Sequence, residues 1–294
     1  MPGVAFDRAT KFYDATRGLP TGVPEQVRDQ IIRRTGAGHN TRFLEIGVGT
    51  GRIALPFVWI GADYTGADLS LPMMEVLRRK IATIPEGARR LKLVLADAMA
   101  LPFGDARFDV IIMIHLLHLV SDWRETLREC RRVLREGGWL VLSSNERAER
   151  KRRDATADRA HEGPQLVTQK WNEIMNELGQ DRSRRPRGQW LTNEEVHDAL
   201  RQMGASLGHV TLAQYQHRPI TAREMVALHR DRIFSSDWHH SDAIHAMASH
   251  RLERWLEQEH PAPDVPYQAR VHFSVLLAHW PDGLPHEDDV GIAR

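Results

Sequence analysis

The stretch from Phe43 to Pro56, FLEIGVGTGRIALP, places three glycines within five residues directly after a short apolar run. A glycine-rich turn between a strand and a helix lets a ligand approach the backbone, and the helix N-terminus offers unpaired N–H groups. A dinucleotide-binding turn needs a third glycine where Arg52 stands, so the pattern disfavours a dinucleotide. Glu45 precedes the turn, and a carboxylate there would repel a phosphate and attract an ammonium group. The turn therefore predicts a ligand that carries an amine.

Short apolar runs alternate with amphipathic stretches from about residue 40 to residue 145. This alternation is typical of an α/β fold, in which helices cover a parallel sheet. Ser70 is expected to cap one of the helices. Asp122 with Glu125 forms a capping-box pattern for another, and Gly137-Gly138 is expected to end that helix. Strands are predicted at 42–46, 62–67, 91–95, 108–114 and 139–143.

The chain becomes charged and arginine-rich from residue 146 to residue 187, apart from an apolar piece around Trp171, Ile174 and Met175. Two further capping boxes, Thr192 with Glu195 and Thr221 with Glu224, predict helices. Strands are predicted near 209–215 and 269–277. Between them, a helical region is expected to bury one face, made of Ile244, Met247, Leu252, Trp255 and Leu256.

Two more acidic residues end the next two predicted strands. Asp68 stands where a carboxylate can accept hydrogen bonds from both hydroxyls of a ribose. Asp97 follows the third strand, where it can accept a hydrogen bond from the amino group of an adenine. Each acid by itself would equally serve as a loop cap. Because ligands of α/β proteins bind at the carboxyl ends of the strands, Glu45, Asp68 and Asp97 together predict a nucleoside site.

These motifs resemble the core of class I S-adenosylmethionine-dependent methyltransferases, of the type 11-like kind found in ubiquinone and menaquinone biosynthesis. EIGVGTG, residues 45–51, resembles the glycine motif of that family, Asp68 its ribose acid, and Asp97 with Ala98 its adenine motif. FDVIIMIHLLHLV (108–120) and RRVLREGGWLVLS (131–143) resemble its fourth strand, the following helix and its fifth strand. The resemblance covers roughly residues 40 to 144.

The resemblance implies a doubly wound, Rossmann-like sheet of seven strands, mostly parallel with the last strand antiparallel, and added helices that cap the active site. It implies three parts: an N-terminal helical element over the cofactor (1–39), a cofactor-binding core (40–145), and the remainder of the fold with an inserted substrate cap (146–294). YDATRGLP, residues 13–20, resembles an element that in relatives folds over the cofactor.

The implied activity is methyl transfer from S-adenosylmethionine to a small-molecule acceptor. Such a transfer needs an aligned nucleophile and a closed, water-poor site, and no catalytic residue is obligatory. His115 and His118, after the fourth strand, are the candidates for a base if the acceptor is a hydroxyl, although His115 is expected first as a cofactor contact. The residues implied to bind the cofactor are Tyr13, Arg17, Glu45, Gly47, Gly49, Gly51, Asp68, Leu69, Met73, Asp97, Ala98, Met99 and Ile114.

Composition excludes several classes of protein. A net charge of +1 and a charged fraction of 27% give no general basis for binding a polyanion. The single cysteine, Cys130, excludes an internal disulfide and a cysteine metal cluster. Charges near the N-terminus and the lack of a long apolar run predict a cytoplasmic protein that does not enter a membrane. Both a monomer and a homodimer stay open on sequence alone.

Two rival functions remain open on sequence alone. The arginine tracts ERAERKRRD (146–154) and DRSRRPRGQW (181–190) could contact the phosphates of RNA, with Arg150, Arg152 and Arg153 carrying the binding. A second rival is a regulator that binds the cofactor without catalysis. DWHHSDAIH (237–245) has zinc-ligand residue types, but only some of them can share one helical face, so no metal site is predicted.

Overall fold

The computed structural model describes residues 7, 10, 12–84, 90–143, 164–180, 192–268 and 270–281. The strands within these ranges are β1 (Arg42–Ile46), β2 (Asp63–Asp68), β3 (Leu91–Leu95), β4 (Phe108–Met113), β5 (Leu134–Ser143), β6 (Ser206–Gln216) and β7 (Arg270–His279). The helices are α1 (Tyr13–Arg17), α2 (Val23–Thr35), α3 (Ala54–Trp59), α4 (Leu71–Ile81), α5 (Trp123–Val133), α6 (Pro164–Glu177), α7 (Asn193–Gln202), α8 (Ala222–Arg230) and α9 (Asp242–Glu259).

The seven strands form one sheet in the order β3-β2-β1-β4-β5-β7-β6. Strands β1 to β5 pair in parallel, and β7 runs antiparallel to β5. The predicted α/β fold with an antiparallel last strand is therefore confirmed. The strand order reverses between β1 and β4, and the carboxyl ends of the strands at such a point are where ligands of α/β sheets bind.

The central strands are buried on both faces, as a parallel sheet covered by helices requires. Leu44 on β1, Ile111 on β4 and Leu140 on β5 are completely buried in the same core cluster. This core fixes the positions of the strand ends, and the site is built on those ends.

The predicted helix starts are present. The Ser70 hydroxyl accepts a hydrogen bond from the Met73 N–H at the start of α4, and Asp122 accepts from two N–H groups at the start of α5. Thr192 and Thr221 each form a complete capping box with the glutamate three residues later. These four caps depend on local chemistry alone, which explains why the sequence predicts them.

The prediction that Gly137-Gly138 ends a helix is wrong. α5 ends at Val133, and β5 begins at Leu134 in an extended conformation and pairs there with Phe108. The two glycines lie inside β5, where a Cβ on Gly138 would come within 2.6 Å of Leu134 Cγ. They accommodate an irregular part of the strand, since the register between β4 and β5 shifts after Phe108.

Helices α6, α8 and α9 pack around a separate apolar cluster. Leu252 and Leu256 of α9 are buried there and Trp255 is partly buried, as predicted, but Met247 is 49% exposed. The buried stripe of α9 runs from Ile244 through residues 248, 249 and 252, so Met247 falls outside its edge.

The chain divides into two compact units. The first comprises Met1–Asn145, Gly188–Ala213 and His272–Arg294, and the second comprises Glu146–Arg187 and Gln214–Val271. The division into 1–39, 40–145 and 146–294 stays a prediction. Among the helices that the structure describes, none combines the length and the apolar composition needed to span a bilayer.

Candidate cofactor site

The turn after β1 holds three glycines in the left-handed region, with φ of 79° at Gly47, 53° at Gly49 and 84° at Gly51. Side chains are disfavoured in that conformation. A Cβ on Gly51 would lie 2.3 Å from Leu77 Cδ1, so the packing of α4 also requires glycine there. A Cβ on Gly49 would meet Met73 Cε at 3.5 Å, an ordinary contact. At Gly49 the backbone conformation is therefore what requires glycine.

Asp68 ends β2 and is hydrogen-bonded to the glycine turn. Its Oδ2 accepts from the Gly49 N–H at 2.7 Å, and its Oδ1 accepts from the Ser70 N–H at 2.8 Å. Burial raises the pKa of Asp68, and these N–H donors offset part of that rise. A carboxylate has about four acceptor positions. The two bonds therefore orient the side chain and leave acceptor capacity for the hydroxyls of a ligand.

Asp97 follows β3, the neighbour of β2 in the sheet. Its Oδ1 accepts a hydrogen bond from the Met99 N–H at 3.0 Å, a local turn that fixes the carboxylate. Met99 directs its sulfur toward Ser121, whose hydroxyl donates to it at 3.3 Å. Asp68 and Asp97 thus follow adjacent strand ends, as the sequence predicts.

An open pocket of about 730 Å³, counted with its mouth, lies at this edge of the sheet. The residues implied to bind the cofactor that line the pocket are Tyr13, Gly47, Gly49, Asp68, Leu69, Met73, Asp97, Ala98 and Ile114. Among the described residues, Arg17, Glu45, Gly51, Met99 and His118 were also predicted for the site but do not line it.

Sequence reasoning missed several lining residues, namely Ile46, Ala67, Ala96, Leu116, Leu119 and Val120. Three of these lie in the loop after β4. Leu116 also lies against the glycine turn, because a Cβ on Gly47 would be 3.0 Å from its Cδ1. The signal was present in HLLHLV, an apolar run that continues beyond the end of the strand.

Glu45 is the main departure from expectation. Its side chain is 3% exposed, and its Oε2 accepts a hydrogen bond from the Tyr64 hydroxyl at 2.8 Å. Burial raises the pKa of Glu45 to about 8. The structure therefore places a buried, protonatable carboxyl beside Tyr64, where the sequence suggested an anionic carboxylate at the entrance of the turn. A contact between Glu45 and a ligand amine stays a prediction.

The two candidate histidines lie in the loop after β4 and differ in position. His115 lines the pocket with a left-handed backbone, φ 55°, and its N–H donates to Ser143 Oγ at 2.8 Å. Such a conformation is costly for a residue with a side chain and often marks a functional position. His118 is exposed and does not line the pocket. Desolvation by neighbouring parts of the protein lowers the pKa of His118, and the positive charge of Arg17 lowers it further.

The histidines of DWHHSDAIH belong to the second unit. His245 donates through Nε2 to the His229 carbonyl at 3.0 Å, and His229 in turn pairs with Asp237 at 3.0 Å. The Trp171 indole N–H donates to Asp237 at 3.1 Å. These bonds join α6, α8 and α9. In the described ranges no three side chains are grouped to hold a metal ion. Arg150, Arg152, Arg153 and Trp190 lie outside the described residues.

The residues at the pocket fit an aminoacyl nucleoside. Two oriented carboxylates follow neighbouring strands, each with acceptor capacity that its own hydrogen bonds do not exhaust. The glycine turn contributes Gly47 and Gly49, which carry no side chains, to the same pocket. Together with a seven-stranded sheet of this order, the arrangement is the one expected for a class I S-adenosylmethionine-dependent methyltransferase domain.

Comparison with known proteins agrees with that class. Residues 44–142 match the family described as methyltransferase domain. The demethylmenaquinone methyltransferase of Renibacterium salmoninarum is 32% identical over 139 residues, which are 47% of this chain and 56% of that protein. The demethylmenaquinone methyltransferase of Clavibacter sepedonicus is 35% identical over 138 residues, 47% of this chain and 55% of that protein.

The chain thus spans about half the length of the curated relatives it matches. A solved structure, the YcgJ protein from Bacillus subtilis, superposes with a TM-score of 0.53 at 18% identity. The superposition covers 88% of this chain and 99% of the YcgJ chain. At that identity the likeness concerns the fold alone.

Proposed function

We propose that this chain is an enzyme that transfers a methyl group from S-adenosylmethionine to a small-molecule acceptor. The observation that supports the proposal most is the pair of carboxylates, Asp68 and Asp97, that follow neighbouring strands and line one pocket with the glycine turn. Asp68 would accept hydrogen bonds from the ribose hydroxyls, and Asp97 from the adenine amino group. Ala98 and Leu69, at the same strand ends, would lie against the nucleoside.

The remaining contacts are assigned to the methionine end of the cofactor. The backbone of Gly47 and Gly49 would lie against it, with Tyr13 of α1 and His115 on other parts of the wall. Met73 and Ile114 complete the apolar lining. We keep Arg17, Gly51 and Met99 as proposed contacts, and Met99 directly follows the lining residue Ala98.

The cofactor supplies an activated methyl group on a sulfonium, and the positive charge of the sulfur is neutralised when the methyl group is transferred. The chain's own residues then need to align the acceptor in line with that methyl group and exclude water. His115 borders the pocket and is proposed as a cofactor contact first, and as a base only for an acceptor that must lose a proton. His118, outside the pocket, is a weaker candidate for that base.

The acceptor is proposed to be selected by residues outside 44–142, the segment shared with the family. The helices of the second unit, α6, α8 and α9, belong to the predicted substrate cap. Two relatives act by name on demethylmenaquinone, so a demethylated quinone belongs in the first panel of acceptors tested, beside hydroxyl and amine compounds.

Calorimetric titration with S-adenosylhomocysteine tests the site. We expect Asp68→Ala to weaken binding by about 1–3 kcal/mol, the usual effect of losing a buried hydrogen-bond partner. Asp63→Ala is the matched control, since Asp63 begins the same strand and pairs with Lys92 on the surface. Unchanged affinity in a folded Asp68→Ala protein would remove the assignment. A wild-type protein that binds the cofactor but produces no S-adenosylhomocysteine with any acceptor would be a binder without catalysis.

A further inference from the structure

Helix α1 cannot hold its own position. It has five residues, none of them buried, and its N-cap residue Phe12 makes no side-chain capping bond. Isolated helices shorter than about 12 residues are marginal in water. Tertiary contacts must therefore place α1, and with it Tyr13, whose side of the helix reaches the cofactor pocket.

Asp14 of α1 forms a closed set of contacts with two residues outside the helix, Thr50 and Lys80. The Thr50 hydroxyl donates to Asp14 Oδ1 at 2.6 Å, and Lys80 Nζ pairs with Asp14 Oδ2 at 2.7 Å. Lys80 Nζ also donates to the Thr50 carbonyl at 2.9 Å. Each of the three residues thus bonds to the other two, so the position of Asp14 is fixed from two directions.

The set joins three parts of the cofactor site. Asp14 follows Tyr13 directly, Thr50 lies between two glycines of the binding turn, and Lys80 is in the last turn of α4. A neighbouring bond has the same effect, because Arg52 donates to the Arg17 carbonyl at the other end of α1, at 2.9 Å. Both ends of α1 are therefore attached to the turn that is expected to bind the cofactor.

On the basis of the proposed function, we infer that Asp14, Thr50 and Lys80 form a latch that positions Tyr13 against the bound cofactor. The latch residues are positioning residues, because Asp14, Thr50 and Lys80 are not among the described residues that line the pocket. Tyr13 and Gly49, which are next to Asp14 and Thr50 in the chain, do line it. The Thr50 side chain is buried, whereas the Lys80 and Asp14 side chains are 31% and 49% exposed. The ion pair is partly screened by water, so its effect is modest and measurable.

The latch makes cofactor affinity depend on residues that do not touch the cofactor. Lys80→Met keeps the apolar stem and removes the charge, and we expect it to weaken S-adenosylhomocysteine binding about fivefold. Asp14→Asn and Thr50→Val should weaken it to a similar or greater extent. Lys80→Arg keeps a cationic donor and should restore most of the affinity. Lys92→Met, which removes a surface ion pair with Asp63 at 3.2 Å, is the control and should bind as the wild type does.

A double variant separates positioning of Tyr13 from general stability. In a Tyr13→Ala background, Lys80→Met should weaken binding by no more than about a further twofold, because the group that the latch positions is already gone. If the two losses simply multiply, the latch does not act through Tyr13 and the inference falls.

Amide hydrogen exchange in the free protein provides a readout that needs no ligand. Exchange of residues 14–18 should be faster in Lys80→Met and Asp14→Asn than in the wild type and in Lys92→Met. Unchanged exchange, or faster exchange with unchanged affinity, would overturn the inference. If the wild-type protein does not bind S-adenosylhomocysteine, the proposed function fails, and the exchange measurement alone then decides whether α1 is latched.

Discussion

Replacing Glu45 with glutamine is expected to remove a pH-dependent loss of stability. The Glu45 carboxyl is buried with its Oε2 accepting from the Tyr64 hydroxyl, and burial raises its pKa from the usual 4.5 to about 8. Glutamine has nearly the same shape, and its amide oxygen can accept the same hydrogen bond. The substitution therefore removes the ionisation and leaves the packing against Tyr64 in place.

The sign of the effect follows from where the proton is bound. Glu45 ionises near pH 4.5 in the unfolded chain, whereas the folded protein keeps the proton up to about pH 8. Between these values the folded state binds more protons, so the free energy of unfolding falls as the pH rises. The stabilising contribution is complete below pH 4.5 and lost by about pH 8. Its slope is at most about 1.4 kcal/mol per pH unit, which sets an upper limit of about 5 kcal/mol.

Urea denaturation of the wild type and Glu45→Gln at each pH from 5 to 9 measures this contribution. The free energy of unfolding of the wild type should fall relative to that of the variant up to about pH 8. Above that pH the difference should become constant, because the carboxyl is then ionised in both the folded and the unfolded state. The difference between the two proteins removes the effect of other titrating groups, including Asp68. Glu136→Gln, which removes an exposed acid on β5, is the control variant. A constant difference for Glu45→Gln would refute a buried, protonated carboxyl.

Two further substitutions separate the binding and packing roles of the glycine turn. Gly49→Val places a β-branched side chain at φ 53° beside the pocket and should abolish S-adenosylhomocysteine binding, as calorimetry would show; tight binding by a folded variant would contradict the role of the turn. Gly51→Ala places a Cβ 2.3 Å from Leu77 Cδ1 and should lower the free energy of unfolding by about 1–3 kcal/mol in urea denaturation. A stability equal to that of the wild type would show that α4 moves away freely.

The parts of the fold that local chemistry determines could be predicted from the sequence. β1 and β3 have the predicted bounds, and the caps at Ser70 and Thr192 depend only on side chains within one helical turn. Asp68 and Asp97 could be predicted because parallel strands bring their carboxyl ends to one edge of the sheet. These features need no knowledge of which distant side chains meet.

Features that depend on distant partners could not be predicted. In the pairing of β1 with β2, Phe43 lies opposite Tyr64, and this register brings the Tyr64 hydroxyl within hydrogen-bond distance of Glu45. The glycine motif alone does not reveal that Tyr64 is the partner of Glu45. The early start of β5 depends on the pairing of Leu134 with Phe108 in β4. The latch joins Asp14 and Lys80 to Thr50, which lies more than twenty positions from each of them in the sequence.

A crystal structure of the protein with S-adenosylhomocysteine would show directly whether the two carboxylates bind the nucleoside. We expect both ribose hydroxyls to donate to the Asp68 carboxylate and the adenine amino group to donate to Asp97. The amino-acid end should lie along Gly47 and Gly49. A nucleoside bound elsewhere, or bound at this edge without either carboxylate, would contradict it.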